Sequence, residues 1–532
     1  MSIGLHCTIK DGSEFVGQQL RGRLVGALFE AETMKSNWSN AARRMTKYQF
    51  GLMLALVGST VTVSPAQADL DEKSKVIAEW LVNFTIEILP DLTTAPQRIT
   101  MPTTLQWRDA LAIAPAEPAD WTPITRAVPG ILIRGSFKDD HQGQFLLRLP
   151  MVWNGKLVVG GASGTRSEFN GDLVISDYVL QKGYAFASQN KGTLNSRLTS
   201  KSDPNACPLS PVSDSVPGSA SNPLIYFPLL DNENSLAEWG ERINQAALIA
   251  KALIGAHYSR KPSRTYAMGV SNGGYQVRKA IEDHPETFDG GVAWEAVLWQ
   301  RDGPNFVGEL PVGLKQFPSY YDKGLNRNSD EARAIQAAGF PPDLVENGTS
   351  LWTLNRSQLW EVTECLYVRK LDPDYHRQFP GFAAFADYDY ATRPESVRKT
   401  IDSFANSGIV RKPLISVHGT LDALITLKGH ARPYKAMIET KGYGQNHRLY
   451  EIQNGNHVDA LMGAKAGQQL PNLELIQPHA QKAFDLLEDW VERGIAPPPS
   501  QCVRRGGKIE DKPQSTECEN LLEPLAERPN HR

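Results

Sequence analysis

The sequence predicts an α/β fold in which a mostly parallel sheet is covered by helices on both faces. Short apolar runs of strand character alternate with helical segments from about residue 156 to residue 300 and again over residues 400–496. Buried strands separated by helices are typical of parallel sheets, because a crossover helix returns the chain to the same end of the sheet. A glycine-flanked serine lies between a predicted strand and a predicted helix, which indicates one particular fold within the α/β class.

The first core segment spans residues 69–300. We predict its strands at residues 130–135, 144–149, 156–159, 184–188 and 265–270. The first two of these strands precede the alternation and form a leading β region.

Three helices are predicted between these strands or after them. One lies around residues 173–180, one over residues 239–256, and one begins near Asn272. The second helix has one continuous apolar face, as expected for a helix that packs against a sheet. That face consists of Trp239, Ile243, Ala246, Ala247, Ala250, Leu253 and Ile254.

The second core segment spans residues 400–496. It contains predicted strands at 413–419 and 448–452 and predicted helices at 431–440 and 480–492. Residues 301–399 are rich in aromatic residues, proline and asparagine and have no regular period, so we interpret them as an inserted lid domain. Residues 497–532 begin with three consecutive prolines and are interpreted as a C-terminal tail.

The composition is that of a globular protein. Of 532 residues, 41% are hydrophobic and 22% are charged, which excludes a wholly disordered chain. The formal net charge is −3 and no long basic run is present, so neither nucleic acid nor an anionic membrane is an expected partner. Composition does not determine the oligomeric state.

An export signal is predicted near the N terminus. The apolar run at residues 50–63 is shorter than the roughly 20 residues of a membrane-spanning helix, and Arg43, Arg44 and Lys47 precede it. A small-residue Ala-Gln-Ala sequence ends at Ala68. We therefore predict that residues 1–68 are an extended N terminus with a signal peptide, cleaved after Ala68, and that the mature protein is secreted or periplasmic. A buried core helix is the alternative interpretation.

Residues 1–40 fit neither a signal peptide nor the fold. Translation starts at Met34 or Met45 are alternatives to Met1. These residues are left out of the fold prediction.

Four cysteines remain after the predicted cleavage: Cys207, Cys365, Cys502 and Cys518. Export to an oxidising compartment favours disulfides, and four cysteines allow three pairings. Because Cys502 and Cys518 share the tail, we favour Cys502–Cys518 together with Cys207–Cys365.

The nucleophile is predicted at Ser271. The sequence Gly-Val-Ser-Asn-Gly at residues 269–273 lies directly after a predicted strand and directly before a predicted helix. A nucleophile elbow holds serine in a strained turn and needs nearly side-chain-free positions on both sides, which Gly269, Gly273 and Gly274 provide. This context predicts an α/β-hydrolase fold.

The base and the acid are predicted at His457 and Asp422. A serine hydroxyl needs a base to take its proton, and the base needs an acid to orient it. In this fold class the chain order is serine, acid, histidine, and both residues follow predicted strands. His418 is the competing base, but its place at the end of a buried strand favours a structural role.

The oxyanion hole is predicted from two backbone N–H groups. One belongs to Asn272, the residue after the nucleophile. The other belongs to Gly161 or Ala162, in the glycine-rich turn after the strand at 156–159. That turn lacks the spacing of a dinucleotide or Walker phosphate loop.

These motifs resemble the tannase and feruloyl esterase family. The likeness runs from about residue 153 to residue 457, apart from the inserted region, and includes Trp-Asn-Gly-Lys at 153–156 and His-Pro-Glu-Thr-Phe-Asp-Gly-Gly at 284–291. Val270 and Val458 stand where family members usually have a disulfide that ties the catalytic residues together, so that bridge cannot form here. The resemblance therefore implies a divergent member of the family.

The family resemblance raises the question of a lid calcium site. Many members carry an aspartate-rich calcium loop, and only Asp372-Pro373-Asp374 is faintly similar to one. We therefore predict neither a metal nor another cofactor.

The expected reaction is the hydrolysis of a small-molecule or oligomeric carboxylic ester through an acyl-enzyme. Aromatic side chains of the inserted region are predicted to bind the acyl group, which favours esters of phenolic acids. They are Trp352, Trp360, Tyr320, Tyr321 and Tyr367. The alternatives are hydrolysis of 3-hydroxybutyrate oligomers or other polyesters, and a non-catalytic binding protein on the same fold.

Overall fold

The computed structural model describes residues 9–10, 74–100, 103–199, 203, 206–208, 224–230, 235–380, 383–462 and 470–523. The predicted signal segment at 50–63, the cleavage point after Ala68 and the alternative starts at Met34 and Met45 lie outside the described residues. None of the described helices combines the length and the apolar character that a membrane crossing requires.

Sixteen strands are described. They are β1 (Ile9–Lys10), β2 (Leu81–Leu89), β3 (Gly130–Phe137), β4 (Gln144–Pro150), β5 (Lys156–Gly161), β6 (Ala185–Gln189), β7 (Arg197–Thr199), β8 (Ala206–Pro208), β9 (Leu224–Tyr226), β10 (Arg264–Val270), β11 (Gly290–Trp294), β12 (Val345–Glu346), β13 (Thr349–Ser350), β14 (Leu414–Gly419), β15 (His447–Ile452) and β16 (Gln501–Val503).

The α-helices of the described residues follow the same chain order. They are α1 (Ala95–Thr100), α2 (Leu105–Leu111), α3 (Asp177–Gln181), α4 (Glu238–Tyr258), α5 (Asn272–Asp283), α6 (Phe306–Asp322), α7 (Asp330–Ala337), α8 (Leu351–Asn355), α9 (Glu361–Leu371), α10 (Pro373–Gln378), α11 (Ala383–Ala386), α12 (Glu395–Asp402), α13 (Arg432–Thr440) and α14 (Gln477–Arg493). Residues 74–80 are also helical.

The main sheet has eleven strands in the order β1-β2-β3-β4-β6-β5-β10-β11-β14-β15-β16. From β6 to β16 every neighbouring pair is parallel. The pairs β2–β3, β3–β4 and β4–β6 are antiparallel, as expected for a leading β region. The predicted α/β-hydrolase fold, a mostly parallel sheet flanked by helices, is confirmed.

Both faces of the sheet are covered. Along β5, Leu157 and Val159 pack into the core under α4, whereas Val158 packs into the core under α3 and α14. Each of the seven residues on the predicted apolar face of α4 is buried. Alternate residues of the strand and the apolar face of the helix are therefore buried against each other in one core.

Among the strands that the sequence prediction missed, β2 and β11 belong to the main sheet. Strand β2 contains Asn83 with a φ of 50° and a register shift between Val82 and Thr85, which interrupt the alternation of buried residues. Strand β11 begins with Gly290 and Gly291, which disfavour a strand in isolation. Its pairing on both sides, with β10 and with β14, stabilises it.

The inserted region, residues 301–399, is mainly helical. Several of its helices begin at side-chain caps, among them Asn305, Ser329 and Ser350, each of which accepts a backbone N–H. No helical period is visible in the sequence, because helix α6 contains two internal prolines and the short helices are buried on several sides around a shared aromatic core.

Part of the predicted C-terminal tail, residues 497–532, adds a strand to the main sheet. Strand β16 pairs in parallel with β15 and forms the last strand of the main sheet. The backbone carbonyl of Cys518 also accepts a hydrogen bond from Arg432 of α13. A three-residue strand carries no alternation that a sequence pattern would reveal.

Both predicted disulfides are present. Cys207–Cys365 joins the small sheet β7–β9–β8 to helix α9 of the inserted region, across 158 residues of sequence. Cys502–Cys518 closes a 16-residue loop at strand β16.

Because a longer closed loop restricts the unfolded chain more, the two disulfides should differ in their effect on stability. The Cys207→Ser/Cys365→Ser variant should lose about 5 kcal/mol of unfolding free energy, and the Cys502→Ser/Cys518→Ser variant about 3 kcal/mol. Urea unfolding without reductant measures both losses. An equal or larger loss in the tail variant would contradict the expectation.

Candidate active site

Ser271 lies at a sharp turn between the end of β10 and the start of α5. Its φ of 60° and ψ of −124° place a non-glycine residue in a strained conformation. The turn is possible because the glycines around it allow neighbouring backbone segments to lie in direct contact. A Cβ on Gly269 would lie 2.5 Å from the carbonyl oxygen of Gly273, and a Cβ on Gly161 would lie 2.4 Å from the same atom. Side chains at these positions would force α5 away from β5 and β10.

The structure brings Ser271, His457 and Asp422 together in one hydrogen-bonded chain. His457 Nε2 lies 3.1 Å from Ser271 Oγ, and His457 Nδ1 lies 2.8 Å from Asp422 Oδ2. All three residues are buried. A base within hydrogen-bond distance of a nucleophile, oriented in turn by an acid, is the geometry that activates a serine.

Two neighbouring loops deliver the acid and the histidine. Asp422 follows β14, and its Oδ1 accepts the backbone N–H groups of Leu424 and Ile425, each at 2.8 Å. His457 follows β15. The two loops touch through their backbones, since Leu421 N donates to Gly455 O at 2.8 Å. These backbone contacts fix the position of the Asp422 carboxylate independently of its hydrogen bond to His457.

A second carboxyl group, that of Glu295, lies beside Asp422. Carboxyl oxygens of both residues and a ring nitrogen of His457 lie within 4.8 Å of one another, and Glu295 and Asp422 share a hydrogen bond. Glu295 Oε1 also accepts the backbone N–H of Gly419 at 2.6 Å. Like charges this close in a buried site cannot both ionise.

The environment decides which of the two carboxyl groups holds the proton. Burial raises the pKa of Glu295 well above its usual value, and the charge of Asp422 raises it further. Burial also pushes the pKa of Asp422 upward, but the charge of His457 and its hydrogen bond outweigh burial and hold this pKa below its usual value. Glu295 is therefore the protonated donor and Asp422 the ionised acceptor.

Glu295 was missed in the sequence, although a signal was present. It is the single charged residue in the apolar run at 292–299, directly after strand β11. An isolated carboxyl group in such a run needs a partner, because burying it unpaired is costly.

His418 has the structural role predicted for it. Its Nε2 donates to the carbonyl oxygen of Ile425 at 2.7 Å, and Glu295 Oε2 lies 3.3 Å from the same nitrogen. Burial lowers the pKa of His418 to about 3, so the ring is neutral. Its hydrogen bond holds the turn that carries Asp422.

The predicted oxyanion donors have different surroundings. Asn272 begins α5, where backbone N–H groups have no acceptor within the helix. The Ala162 N–H, by contrast, donates to Gln276 Oε1 at 3.2 Å. A buried amide oxygen on α5 therefore already accepts the Ala162 hydrogen, which favours Gly161 as the second donor. The roles of Asn272, Gly161 and Ala162 stay predictions.

Lys191 secures the turn that contains Ala162. Its Nζ donates to the Ala162 carbonyl oxygen at 2.7 Å and lies 5.4 Å from the ring centre of Trp239. Burial lowers the pKa of Lys191 to about 7. The sequence signal was a lysine in an Asn-Lys-Gly turn at the carboxyl end of β6, the same sheet edge as Ser271.

A cavity of about 130 Å³ opens beside Ser271 and His457. Most of its wall is apolar, and the inserted region supplies part of it. The apolar side chains of the wall are Ala112, Ile113, Ile225, Phe227, Phe306, Leu359, Val362, Leu366, Leu424 and Val458. Side chains at the start of the inserted region and in helix α9 therefore shape the space in which a substrate meets the serine.

The structure places one of the five predicted aromatic side chains in the wall of this cavity. Tyr367 lines the cavity, and its hydroxyl donates to Asn272 Oδ1 at 3.1 Å. The other four rings lie in or against the core of the inserted region: Tyr320, Tyr321, Trp352 and Trp360. No helical period separated inward-facing from core-facing rings in the sequence.

The faint calcium motif is used for packing. The Asp372 carboxylate accepts Arg393 Nε at 2.6 Å and the Tyr388 hydroxyl at 3.2 Å, and it also caps helix α10. Asp374 is exposed and pairs with Arg377. Arg393 therefore pairs with the Asp372 carboxylate that a bound cation would need.

Two family models match different parts of the chain. The model described as tannase and feruloyl esterase matches residues 132–299, which contain Ser271. The model described as 3HB-oligomer hydrolase matches residues 377–530, which contain Asp422 and His457. The resemblance to tannases and feruloyl esterases predicted from the sequence is confirmed for the first of these segments.

Curated relatives cover shorter stretches. The D-(-)-3-hydroxybutyrate oligomer hydrolase of Cupriavidus pinatubonensis is 30% identical over 121 residues, which is 22% of this chain and 17% of that protein. The enzyme of the same name from Cupriavidus necator is 31% identical over 108 residues, 20% of this chain and 15% of that protein. The chain thus spans less than a fifth of the length of either relative.

Solved structures with similarity over most of the chain include two from Aspergillus. Feruloyl esterase B of Aspergillus oryzae has a TM-score of 0.43 and 13% identity, over 81% of this chain and 92% of that one. Tannin acyl hydrolase of Aspergillus niger has a TM-score of 0.43 and 13% identity, over 80% and 87%.

If protonated Glu295 supports Asp422 by donating a hydrogen bond, substitutions of Glu295 should differ according to whether they keep a donor. Glu295→Gln should keep kcat on an ester within about threefold of wild type, because an amide still donates to Asp422. Glu295→Ala should lower kcat about tenfold or more, since it removes the donor and leaves a cavity beside the acid. Steady-state kinetics measures both effects.

Glu282→Gln serves as the control, because Glu282 is equally buried but accepts its hydrogen bonds from Gly408, Ser407 and Tyr434, away from the triad. Thermal unfolding of all variants separates lost stability from lost orientation. Equal impairment of the glutamine and alanine variants of Glu295 would contradict the assignment of the proton.

Proposed function

We propose that this chain, with its match to the tannase and feruloyl esterase family over residues 132–299, is a serine hydrolase of carboxylic esters. One observation carries the proposal: Ser271, on a strained turn, lies within 3.1 Å of His457, whose other ring nitrogen lies 2.8 Å from Asp422. A binding protein has no need for these three groups in contact on a strained backbone.

The chemistry follows from this geometry. Ser271 Oγ attacks the ester carbonyl carbon while His457 Nε2 takes its proton. His457 then gives the proton to the departing alcohol, which leaves an acyl group on Ser271. Water, deprotonated by His457, releases the acid and restores the serine. Asp422 keeps the imidazole in the tautomer with hydrogen on Nδ1 and stabilises its charged form.

The oxyanion of each tetrahedral intermediate needs N–H donors that are in place before the reaction. The Asn272 N–H at the start of α5 is the first proposed donor, supported by the helix dipole at the same position. Gly161 stays the proposed second donor. Lys191 Nζ donates to the Ala162 carbonyl oxygen and so holds the turn that follows Gly161.

The nucleophile assignment has a direct test. Ser271→Ala should lower kcat on a 4-nitrophenyl ester about a thousandfold or more, because a serine hydrolase without its nucleophile keeps little more than binding and oxyanion stabilisation. The same variant should no longer react with a fluorophosphonate probe, which labels activated serines. Wild-type turnover by Ser271→Ala would refute the assignment.

Ser416 provides a matched control. It is also buried, and its Oγ lies 2.9 Å from His447 Nε2, but hydrogen bonds in the described residues give that histidine no carboxylate partner. Burial lowers the pKa of His447 to about 3. Ser416→Ala should therefore keep both turnover and labelling.

Among carboxylic esters, we favour those of short aliphatic hydroxy acids. The expected preference for phenolic acids depended on five rings of the inserted region, of which Tyr367 alone lines the cavity. Aliphatic side chains such as Leu359, Val362 and Leu424 supply much of the wall. The match of residues 377–530 to the 3HB-oligomer hydrolase model supports the same class.

Phenolic esters are the second candidate. Phe306 and Tyr367 stack in the cavity wall with ring centres 5.5 Å apart, and Phe227 also lines the cavity. These rings offer flat surface to an aryl acid.

Esters with one common leaving group separate the two acyl classes. The value of kcat/KM for 4-nitrophenyl 3-hydroxybutyrate should exceed that for the 4-nitrophenyl ester of a hydroxycinnamic acid by about tenfold, because the largely aliphatic wall fits a short acyl chain better than a ring. Ser271→Ala provides the background rate for each ester. A higher value for the cinnamate would reverse the order of the two candidates.

A further inference from the structure

The charge on the cavity wall is unbalanced. Among the described residues that line the cavity beside Ser271, Arg166 carries a full positive charge and none is an aspartate or a glutamate. The remaining polar groups there are hydroxyls, amides and the imidazole of His457. Because Arg166 is only half-buried, solvent screens its attraction for an anion in part, but less than it would at a fully exposed position.

The guanidinium of Arg166 has no hydrogen-bond acceptor in the described part of the chain. Its ion partner there is Asp109, with Nη1 and Oδ1 3.9 Å apart, too far for a hydrogen bond. Asp109 already accepts hydrogen bonds from other donors: Ser167 N at 2.8 Å, Ser167 Oγ at 2.5 Å and Asn195 Nδ2 at 3.1 Å. The donors of Arg166 therefore remain available to a ligand.

The position of Arg166 relative to the nucleophile is set by its turn. The side chain folds back over Gly164, where a Cβ would lie 3.7 Å from Arg166 Cγ. The Gly164 carbonyl oxygen in turn lies 3.5 Å from Asn272 Nδ2, beside the nucleophile. Lys191 cannot replace Arg166 as a ligand group, since it is buried and donates to the Ala162 and Ser163 carbonyl oxygens.

We propose that Arg166 binds a free carboxylate of the substrate, so that the enzyme acts on esters that retain an ionised carboxyl group. The inference rests on the proposed function, because it needs Ser271 to attack an ester in the same cavity. Short oligoesters of hydroxy acids have this chemistry, as do monoesters of dicarboxylic acids. A guanidinium presents two parallel N–H donors that match the two oxygens of a carboxylate.

Matched substrate pairs that differ in the carboxylate test the proposal. In the first pair, the 3-hydroxybutyrate dimer is compared with its methyl ester, so that the charge lies on the alcohol side of the scissile bond. In the second pair, mono-4-nitrophenyl glutarate is compared with 4-nitrophenyl pentanoate, so that the charge lies on the acyl side. The readout is the ratio of kcat/KM for the charged and the neutral member near neutral pH.

Wild type should favour the charged member of at least one pair by about tenfold or more, the discrimination expected when a site is built to bind a polar group. Arg166→Gln should bring that ratio down about tenfold. Arg134→Gln is the matched control. Arg134 has the same side-chain exposure, 41% against 40% for Arg166, and a similarly long ion pair of 4.0 Å with Glu168, but it does not line the cavity. This control should keep the wild-type ratio.

The possible failures are distinguishable. If wild type hydrolyses the neutral esters through Ser271 but prefers neither charged member, or if Arg166→Gln keeps the preference, the carboxylate site is refuted and the hydrolase remains. If wild type hydrolyses no ester in either pair and reacts with no fluorophosphonate, the proposed function itself fails. A circular dichroism melt of Arg166→Gln shows whether a changed ratio comes from a folded protein.

Discussion

Direct backbone contact among β5, β10 and helix α5 is the constraint on which the candidate site depends. Gly161, Gly269 and Gly273 approach so closely that a Cβ on any of them would lie within 2.6 Å of a backbone atom of another. This contact leaves Ser271 in a strained turn at the carboxyl edge of the sheet. Nearby burial of apolar residues on both faces of the sheet stabilises the core that maintains the strain.

A second backbone contact positions the other two members of the chain of hydrogen bonds. A Cβ on Gly419 would lie 2.4 Å from the carbonyl carbon of Gly455, so the loops after β14 and β15 lie against each other. Asp422 and His457 extend from these loops toward Ser271. Parallel strands place all their carboxyl ends at one edge of the sheet, so three loops from separate parts of the sequence lie together there.

The groups behind the triad form a layer of buried polar side chains with little access to water. Ionised Asp422 is supported by a protonated Glu295 and a neutral His418, and each makes a further hydrogen bond to backbone. In so dry an environment a second negative charge would oppose the first, and an imidazolium at His418 would compete with His457 for the acid. The charge state of the site is thus determined by burial as much as by the triad residues themselves.

The sequence alone determined the elements whose signal is local. The apolar face of α4, most strands of the parallel sheet and the glycine-flanked Ser271 all follow from short-range patterns. The chain order that the fold class implies then pointed to Asp422 and His457. Periodicity and turn chemistry are properties of neighbouring residues, so they can be predicted before the fold is known.

Only the tertiary structure decided the features that depend on contacts between distant segments. Strand β11, with its two leading glycines, exists because β10 and β14 flank it. Tyr320 and Trp352 face the core of the inserted region, although nothing in their sequence distinguishes them from Tyr367. The proton on Glu295 depends on burial and on the charge of Asp422, and the donors of Arg166 are available because no acceptor among the described residues reaches them. Such interactions act through space, and a pattern along the chain does not contain them.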